Sequence, residues 1–122
     1  MDDQSIENEI QAKGLTALRV TLADIEANIF SEHYFTAADG AMSADAISLP
    51  RYDPALLPLD LLTLCVLVLR NGFTVTGESA CVSPSNFDAE IGRKIARQHA
   101  VDKVWMLEGY LLRDRLSRAG GV

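Results

Sequence analysis

Four basic side chains have the types and spacing to bind an anion. Arg93 and Arg97 lie four residues apart in a segment whose pattern predicts a helix, so both fall on one helix face with Lys94 beside them. Two guanidinium groups on one face can hold a phosphate or a carboxylate by paired hydrogen bonds. Arg70 is a fourth cation that can join them. These four residues predict an anion site; the alternative is that they are solvated or paired within the protein.

Two aromatic residues further along the same segment, Trp105 and Tyr110, can supply a stacking surface for a nucleotide base.

Few other side chains have the type or spacing needed for catalysis or for metal binding. Ser79 lies in a predicted strand rather than at a strand-to-helix turn, so it does not form a nucleophile elbow. The two histidines and two cysteines lack metal-ligand spacing, and no glycine-rich phosphate loop is present. We therefore expect no enzyme activity, no metal and no cofactor.

The charge of the chain is unevenly distributed. The 122 residues carry a net charge of −6; residues 1–60 hold 11 acids and 3 bases, giving −8, and residues 61–122 hold 6 acids and 8 bases, giving +2. The two halves either pair with each other or present a cationic patch to a ligand. Overall acidity, without basic runs interleaved with aromatics, argues against a nucleic-acid partner. The longest apolar run, residues 61–69, is shorter than the ~20 residues that span a bilayer, so no membrane partner is expected.

A β-hairpin is predicted over residues 61–82. Two apolar runs flank Asn71-Gly72, a pair that favours a two-residue turn with positive φ at both positions. With that turn, Val68 faces Val75, and Gly77 is a candidate bulge. The first strand is apolar on both faces, which predicts cover on both sides or a place inside a larger sheet.

The same register predicts that Cys65 and Cys81 project from opposite faces of the hairpin, so no intrachain disulfide is expected. Two free cysteines fit a reducing compartment. The chain opens on acidic residues rather than on a signal segment, which agrees with a cytoplasmic location.

The remaining segments complete one predicted α+β domain over residues 1–122. Residues 1–20 form a polar leader. Thr21, with Asp24 three positions on, resembles a capping box that starts a short helix extending to about residue 33. Residues 37–60 contain three prolines spaced four apart, which predicts an irregular loop.

The C-terminal segment, about residues 86–118, has the pattern of one long helix. A straight helix of that length would run ~48 Å, whereas a compact chain of this size has a radius of gyration of only ~14 Å. We therefore predict a kinked or two-part helix, with weak points at Gly92, Gly109 or Asp102, and a homo-oligomer formed through it. Contact within a single chain is the alternative. The small and aliphatic residues predicted to form this contact surface are Gly92, Ala96, Ala100, Val104, Leu107 and Leu111.

Several phrases of the sequence are similar to those of a known family. They are RNGFTVTGESAC at residues 70–81, EIG at 90–92, Trp105, and LEGYLL at 107–112. They resemble a family of short tailed-phage and prophage proteins, named after one product each of coliphage N-four and Shigella phage Sf-six. The resemblance covers residues 61–116 and, in part, 20–40. It implies an accessory protein expressed in the bacterial cytoplasm.

The function that we expect from this resemblance is a non-enzymatic phage accessory binding protein. It would act in counter-defence by sequestering an anionic, nucleotide-like signal or a host factor. Over a few residues, Ala96, Ala100 and Trp105, the helix is also similar to helical-hairpin proteins with which phages sequester cyclic nucleotides. The alternative is a protein–protein inhibitor or assembly module that uses the hairpin edge and the apolar helix face. A small hydrolase is a distant third.

Overall fold

An antiparallel sheet with one long helix on one face forms the centre of the protein. The computed structural model describes residues 2–120. Within them the three strands lie in the order β1-β2-β3, and the predicted α+β class is confirmed. The elements are α1 (Asp3–Ala12), α2 (Leu22–Asn28), β1 (Ile29–Thr36), α3 (Ala37–Ala41), a 3-10 helix (Pro54–Leu61), β2 (Leu62–Leu69), β3 (Thr74–Ala80), a second 3-10 helix (Pro84–Asn86) and α4 (Ala89–Arg118).

Strand β1 begins where the sequence predicted a continuing helix. The capping box is confirmed: the Thr21 hydroxyl accepts from the Asp24 N–H, and the Asp24 carboxylate accepts from the Thr21 N–H. The helix nevertheless ends at Asn28, and β1 pairs with β2 from Ile29 onwards. The prediction of helix to residue 33 is therefore wrong, because hydrogen bonds to β2 outweigh the local helical spacing.

The hairpin lies where it was predicted, but its turn contains three residues rather than two. The Leu69 N–H donates to the Phe73 carbonyl over 2.8 Å, and the Gly72 N–H donates to the Leu69 carbonyl over 2.9 Å. Gly72 has a φ of 87°, and Asn71 does not have a positive φ. This is a type I turn closed by a left-handed glycine. Val68 consequently faces Thr74, and the predicted register is wrong by one residue.

This shift decides which side chains share a face of the sheet. Gly77 pairs with Cys65 in regular register, so the predicted bulge is absent there. Beneath α4 the sheet buries Thr63, Cys65, Leu67, Leu69, Val75 and Gly77. The alternate residues of β2, namely Leu62, Leu64, Val66 and Val68, point to the other face and stay partly exposed.

Both cysteines are free, as predicted, although the predicted reason was wrong. The true register places Cys65 and Cys81 on the same face of the hairpin. Cys65 faces Gly77, which lies four residues before Cys81. Four residues of strand span ~13 Å, beyond the reach of a disulfide.

Helix α4 packs on the sheet through its smallest side chains. Gly92, Ala96, Ala100 and Val104 are all buried against their own chain, together with Val101. A Cβ atom at Gly92 would lie 3.0 Å from Oγ1 of Thr63, so the helix lies close to β2. The small-residue surface therefore serves contact within one chain, which was the alternative to an oligomer contact.

Helix α4 extends well beyond the core. It is a single α-helix of 30 residues, about 45 Å long, and is not interrupted at Gly92, Asp102 or Gly109. The two-part alternative is therefore wrong, and a bend stays a prediction. No residue of α4 after Val104 is buried: Leu107 packs partly against the core, and Leu111 is exposed.

The segments predicted as leader and loop contain short helices. Residues 3–12 form α1, none of whose residues is buried. In the 37–60 region, Thr36 and Asp39 form a second capping box at α3, and Asp53 caps the 3-10 helix at Ala55. These two helices contact each other. This region is therefore ordered by local capping rather than irregular throughout.

Candidate functional site

Arg97 is a clamp between helix α4 and the elements beside it. Its Nε donates to Oε1 of Glu32 over 2.7 Å, and its Nη2 donates to Oε2 of Glu26 over 2.9 Å. Glu32 belongs to β1 and Glu26 to α2. The hydrogen bond from Arg97 lowers the pKa of Glu32, and in return Glu32 and Glu26 raise the pKa of Arg97. This guanidinium is therefore occupied in joining three elements.

The two neighbours of Arg97 in the predicted cluster have different surroundings. Nζ of Lys94 lies 3.3 Å from Oε1 of Glu90, one turn earlier in the helix, and the Lys94 side chain is 75% exposed. Arg93 lines a cavity of about 150 Å³ together with Tyr34 and Asp39. The spacing on the helix is as predicted, but the structure does not bring Arg93, Lys94 and Arg97 to one common ligand position.

The two aromatic candidates are also separate from each other. Nε1 of Trp105 donates to Oδ2 of Asp3 over 3.1 Å, which ties α4 to α1. Tyr110 is 74% exposed. Arg70, Arg93 and Trp105 line three different cavities, so the six predicted ligand-binding residues do not share one.

The cavity beside Trp105 has the wrong charge for an anion. It measures about 460 Å³ and lies between α1 and α4. Arg19 in its wall is bound to both carboxylate oxygens of Glu7 over 2.9 Å each. That hydrogen bonding lowers the pKa of Glu7 to about 2. With Asp3 and Asp102 also in the lining, acids outnumber bases in this cavity.

A different cleft is lined by three arginines that come from three parts of the chain. Arg70 comes from the hairpin turn, Arg115 from the last turns of α4, and Arg19 from the segment before α2. The cleft has a volume of about 480 Å³. Its other lining residues are Leu18, Val20, Asp24, Ala27, Asn28, Glu108 and Leu112.

Arg70 is held in a defined position in this cleft. Its backbone N–H donates to the Asn28 carbonyl over 3.0 Å, and its Nε donates to the Ala27 carbonyl over 2.9 Å. Its guanidinium carbon lies 5.4 Å from the centre of the Phe30 ring, within cation–π range. These contacts orient the side chain but engage only Nε of the guanidinium. The two Nη atoms make no hydrogen bond within the described residues.

The carboxylates of the cleft are already engaged. Glu108 accepts from the Asn28 side-chain amide over 2.5 Å, and Asp24 is part of the capping box. Arg19 is paired with Glu7. Arg70 and Arg115, in contrast, form no ion pair with any described residue. The cleft therefore contains two guanidinium groups without a carboxylate partner among the described residues.

Sequence reasoning found Arg70 but missed Arg115 as a site residue. Arg115 lies in the last turn of α4, where basic residues are favoured in any helix, so its type and position alone do not mark it as a site residue. Nothing in the local pattern shows that residues 70 and 115 line the same cleft, because this depends on how α4 lies across the sheet. The one signal in the sequence is that Arg115 has no acidic residue three or four positions away with which it could pair on the helix.

Residues 2–120 contain neither a metal-binding cluster nor a membrane-spanning helix. No group of three or more His, Cys, Asp and Glu side chains is arranged there to hold a metal ion. None of the helices in that range has the length and apolar character needed to cross a membrane.

The protein is thus a small α+β protein with a cleft, lined by three arginines and two acids, between a hairpin turn and a helix end. Residues 20–116 match the Phage protein (N4 Gp49/phage Sf6 gene 66) family, and the chain belongs to it. The resemblance seen in the sequence is thereby confirmed. Comparisons with curated proteins and with solved structures return no match. The matched range includes Arg70 and Arg115 but not α1.

Proposed function

We propose that this phage-family protein is a non-enzymatic binding protein whose cleft takes an anionic small molecule in the bacterial cytoplasm. The observation that carries the proposal is that Arg70 and Arg115 line one cleft. They come from separate elements, and neither forms an ion pair with a described residue. Asp24 and Glu108 line the same cleft but form no ion pair with either arginine, so a bound anion would supply the counter-charge that the two guanidinium groups lack.

The chemistry of the cleft favours a phosphate-bearing ligand. Guanidinium groups bind phosphate through paired, charge-assisted hydrogen bonds. A volume of about 480 Å³ lies within the range of small-molecule sites, which is roughly 300–1,000 Å³. Leu18 and Leu112 give the cleft an apolar wall against which a base or sugar can lie. A nucleotide-like signal fits these features.

The biological role follows from this ligand class and from the family. A phage accessory protein that binds a nucleotide-like signal without converting it would lower the free signal in the host cell. That role is counter-defence by sequestration. The acids that line the cleft, Asp24 and Glu108, are held by the capping box and by Asn28, so neither is placed as a free general base.

The experiment is a titration with inorganic phosphate, mononucleotides and cyclic dinucleotides, read by calorimetry and by thermal shift. A ligand at 100 times its dissociation constant should stabilise the protein by about 2.7 kcal/mol. Arg70→Ala or Arg115→Ala should weaken binding by about 10- to 100-fold, as expected for a hydrogen bond to a charged group. Arg113→Ala is the matched control, because Arg113 is an exposed arginine of the same helix outside the cleft.

Two outcomes would contradict the proposal. The first is no response to any of these ligands at millimolar concentration. The second is an equal loss of affinity in Arg113→Ala and Arg115→Ala, which would indicate general electrostatics rather than a cleft. Recovery of the bound ligand unchanged after incubation tests the non-enzymatic part, and its hydrolysis would overturn that part alone.

A second function, a protein–protein inhibitor or assembly module, is favoured by one observation. Met106, Tyr110 and Leu111 are 70%, 74% and 52% exposed on the part of α4 beyond the core. The hairpin edge is a weaker candidate, because Nδ1 of His99 lies 2.6 Å from the Glu78 carbonyl on β3. Capture of one host protein by the wild type but not by Met106→Glu/Tyr110→Glu would support this function. Equal capture by both would contradict it.

A further inference from the structure

Arg19 lies between two cavities and belongs to the lining of both. It lines the cleft that contains Arg70 and Arg115, and it also lines the cavity between α1 and α4. Its Nη1 and Nη2 donate to Oε1 and Oε2 of Glu7 over 2.9 Å each. Glu7 is a residue of α1, so one ion pair joins the wall of the arginine cleft to this helix.

The ion pair with Glu7 determines the charge of the arginine cleft. While α1 is docked, Arg19 is neutralised by Glu7, and two unpaired guanidinium groups remain in the lining. The carboxylates of Asp24 and Glu108 balance these two, so the net charge of the lining is near zero. When Glu7 is away from Arg19, three bases stand against two acids and the lining becomes cationic. A cationic lining attracts anions more strongly.

Helix α1 is held by few contacts. None of its residues is buried, and a cavity of about 460 Å³ lies between it and α4. Its side-chain hydrogen bonds to α4, among the described residues, are those that Asp3 accepts from Gln98 over 3.3 Å and from Trp105 over 3.1 Å. Because little apolar area is covered by α1, its release from the protein costs little free energy.

We propose that Glu7 competes with the ligand for Arg19, and that a phosphate-bearing ligand in the arginine cleft displaces Glu7 and releases α1. This inference rests on the anion-binding function proposed above. A guanidinium group binds an oxyanion through a pair of N–H groups. Glu7 already occupies the pair at the Nη1–Nη2 end of Arg19. A phosphate that binds at this end therefore takes the place of the Glu7 carboxylate.

The exchange couples the cleft to α1 in both directions. If ligand binding weakens the docking of α1 by a given factor, release of α1 strengthens ligand binding by the same factor. The docked helix thus lowers the affinity of the cleft for weak or dilute anions. Arg70 and Arg115 contact the ligand first, and Arg19 becomes the third contact once Glu7 has left.

The test is the affinity of the full chain for inorganic phosphate and for adenosine monophosphate, measured by calorimetry. Glu7→Gln removes the competing charge and should bind both at least about fivefold more tightly than the wild type, which is the lower end of the usual coupling between two sites. Glu9→Gln is the matched control, because it makes the same charge change on α1 but removes only the exposed pair with Lys13. It should bind like the wild type. An equal gain in both variants would overturn the proposal.

A double-mutant cycle tests whether the competition occurs at Arg19. Arg19→Ala removes the group for which Glu7 and the ligand compete. Addition of Glu7→Gln to Arg19→Ala should therefore leave the affinity for phosphate unchanged. A gain as large as in the wild-type background would overturn the proposal, because Glu7 would then act without Arg19.

The emission of Trp105 tests the release of α1, since Nε1 of Trp105 donates to Asp3 of that helix. Saturation of the wild type with inorganic phosphate should change the emission to that of Glu7→Gln, and unchanged emission would overturn the proposal. If Arg115→Ala weakens binding but Glu7→Gln does not strengthen it, this inference fails and the proposed function stands. Absence of binding by every variant contradicts both.

Discussion

Gly77 of β3 and Ala96 of α4 touch through their backbones. A Cβ atom at position 77 would lie 2.1 Å from the Ala96 carbonyl oxygen and 2.4 Å from the Ala100 nitrogen. Both atoms belong to the backbone of a helix, so neither can rotate away. The absence of a side chain at Gly77 therefore sets the distance between the helix and the sheet.

The first prediction is that Gly77→Ala lowers the free energy of unfolding by about 3 kcal/mol or more, since overpacking against rigid backbone costs at least the upper part of the usual range. Urea denaturation measures this change. Gly109→Ala is the control, because nothing lies within 4 Å of a Cβ there, and it should stabilise α4 by about 0.5–1 kcal/mol. A loss below 1 kcal/mol for Gly77→Ala would show that α4 can move off the sheet.

The hairpin turn gives a second prediction, at Gly72. Its φ of 87° is strained for a residue with a Cβ, so Gly72→Ala should cost about 1–2 kcal/mol. Gly72→Asn should cost less, because asparagine tolerates this region better. Open space surrounds the position, so strain is the only expected source of the loss. Equal stability of the alanine variant and the wild type in urea would argue against the three-residue turn.

The clamp at Arg97 gives a third prediction. Arg97→Ala should lower the free energy of unfolding by about 1 kcal/mol, because Glu26 and Glu32 lose their partner but remain partly exposed to water. Lys94→Ala should change it by less than about 0.5 kcal/mol, since Lys94 has only an exposed pair within its own helix. The difference between the two variants in urea is the measurement. If both cost the same, Arg97 is not a clamp.

The fourth prediction concerns pH and the docking of α1. Arg19 holds the pKa of Glu7 at about 2, below its ordinary 4.5. Because the carboxylate pKa is lowered, the stabilising contribution of the Glu7–Arg19 pair to the docking of α1 is fully present above about pH 4.5 and is lost as pH falls towards 2. Trp105, the one tryptophan of the chain, contacts α1 through Asp3, so its fluorescence reports the docking.

The comparison variant for this experiment is Glu7→Gln, measured at pH 7. It removes the ion pair without acid, so its Trp105 emission at pH 7 should already resemble that of the wild type near pH 2. A variant with wild-type emission at pH 7 would show that the contact of Asp3 with Trp105 holds α1 by itself.

Much of the fold follows from local signals, and the exceptions have physical causes. The capping box at Thr21 and the hairpin at Asn71-Gly72 were predictable, because both depend on residues that are neighbours in sequence. The length of the turn was not, since Asn-Gly suits turns of two or three residues. Strand β1 was not predicted, because Ile29 continues the helical spacing of Ile25. The pairing of Ile29 with Leu69 is visible only in three dimensions.

The site was less predictable than the fold. Arg97 has the spacing of a ligand-binding residue, but its partners Glu26 and Glu32 lie 71 and 65 residues away in sequence. The presence of Arg70 and Arg115 in one cleft likewise depends on tertiary structure. Charge and spacing can therefore identify arginines as candidate ligand-binding residues, but they do not show which of these already pair with a carboxylate of the same chain.

The central position of β2 has a consequence for how the molecule opens. Its backbone is hydrogen bonded to β1 on one side and to β3 on the other, and α4 covers one of its faces. Its N–H groups point alternately to the two neighbours, so fraying of one edge strand releases only the amide protons bonded to that strand. Deuterium uptake by all of residues 62–69 should therefore require that both neighbours detach, which makes complete exchange of this strand a gauge of global stability.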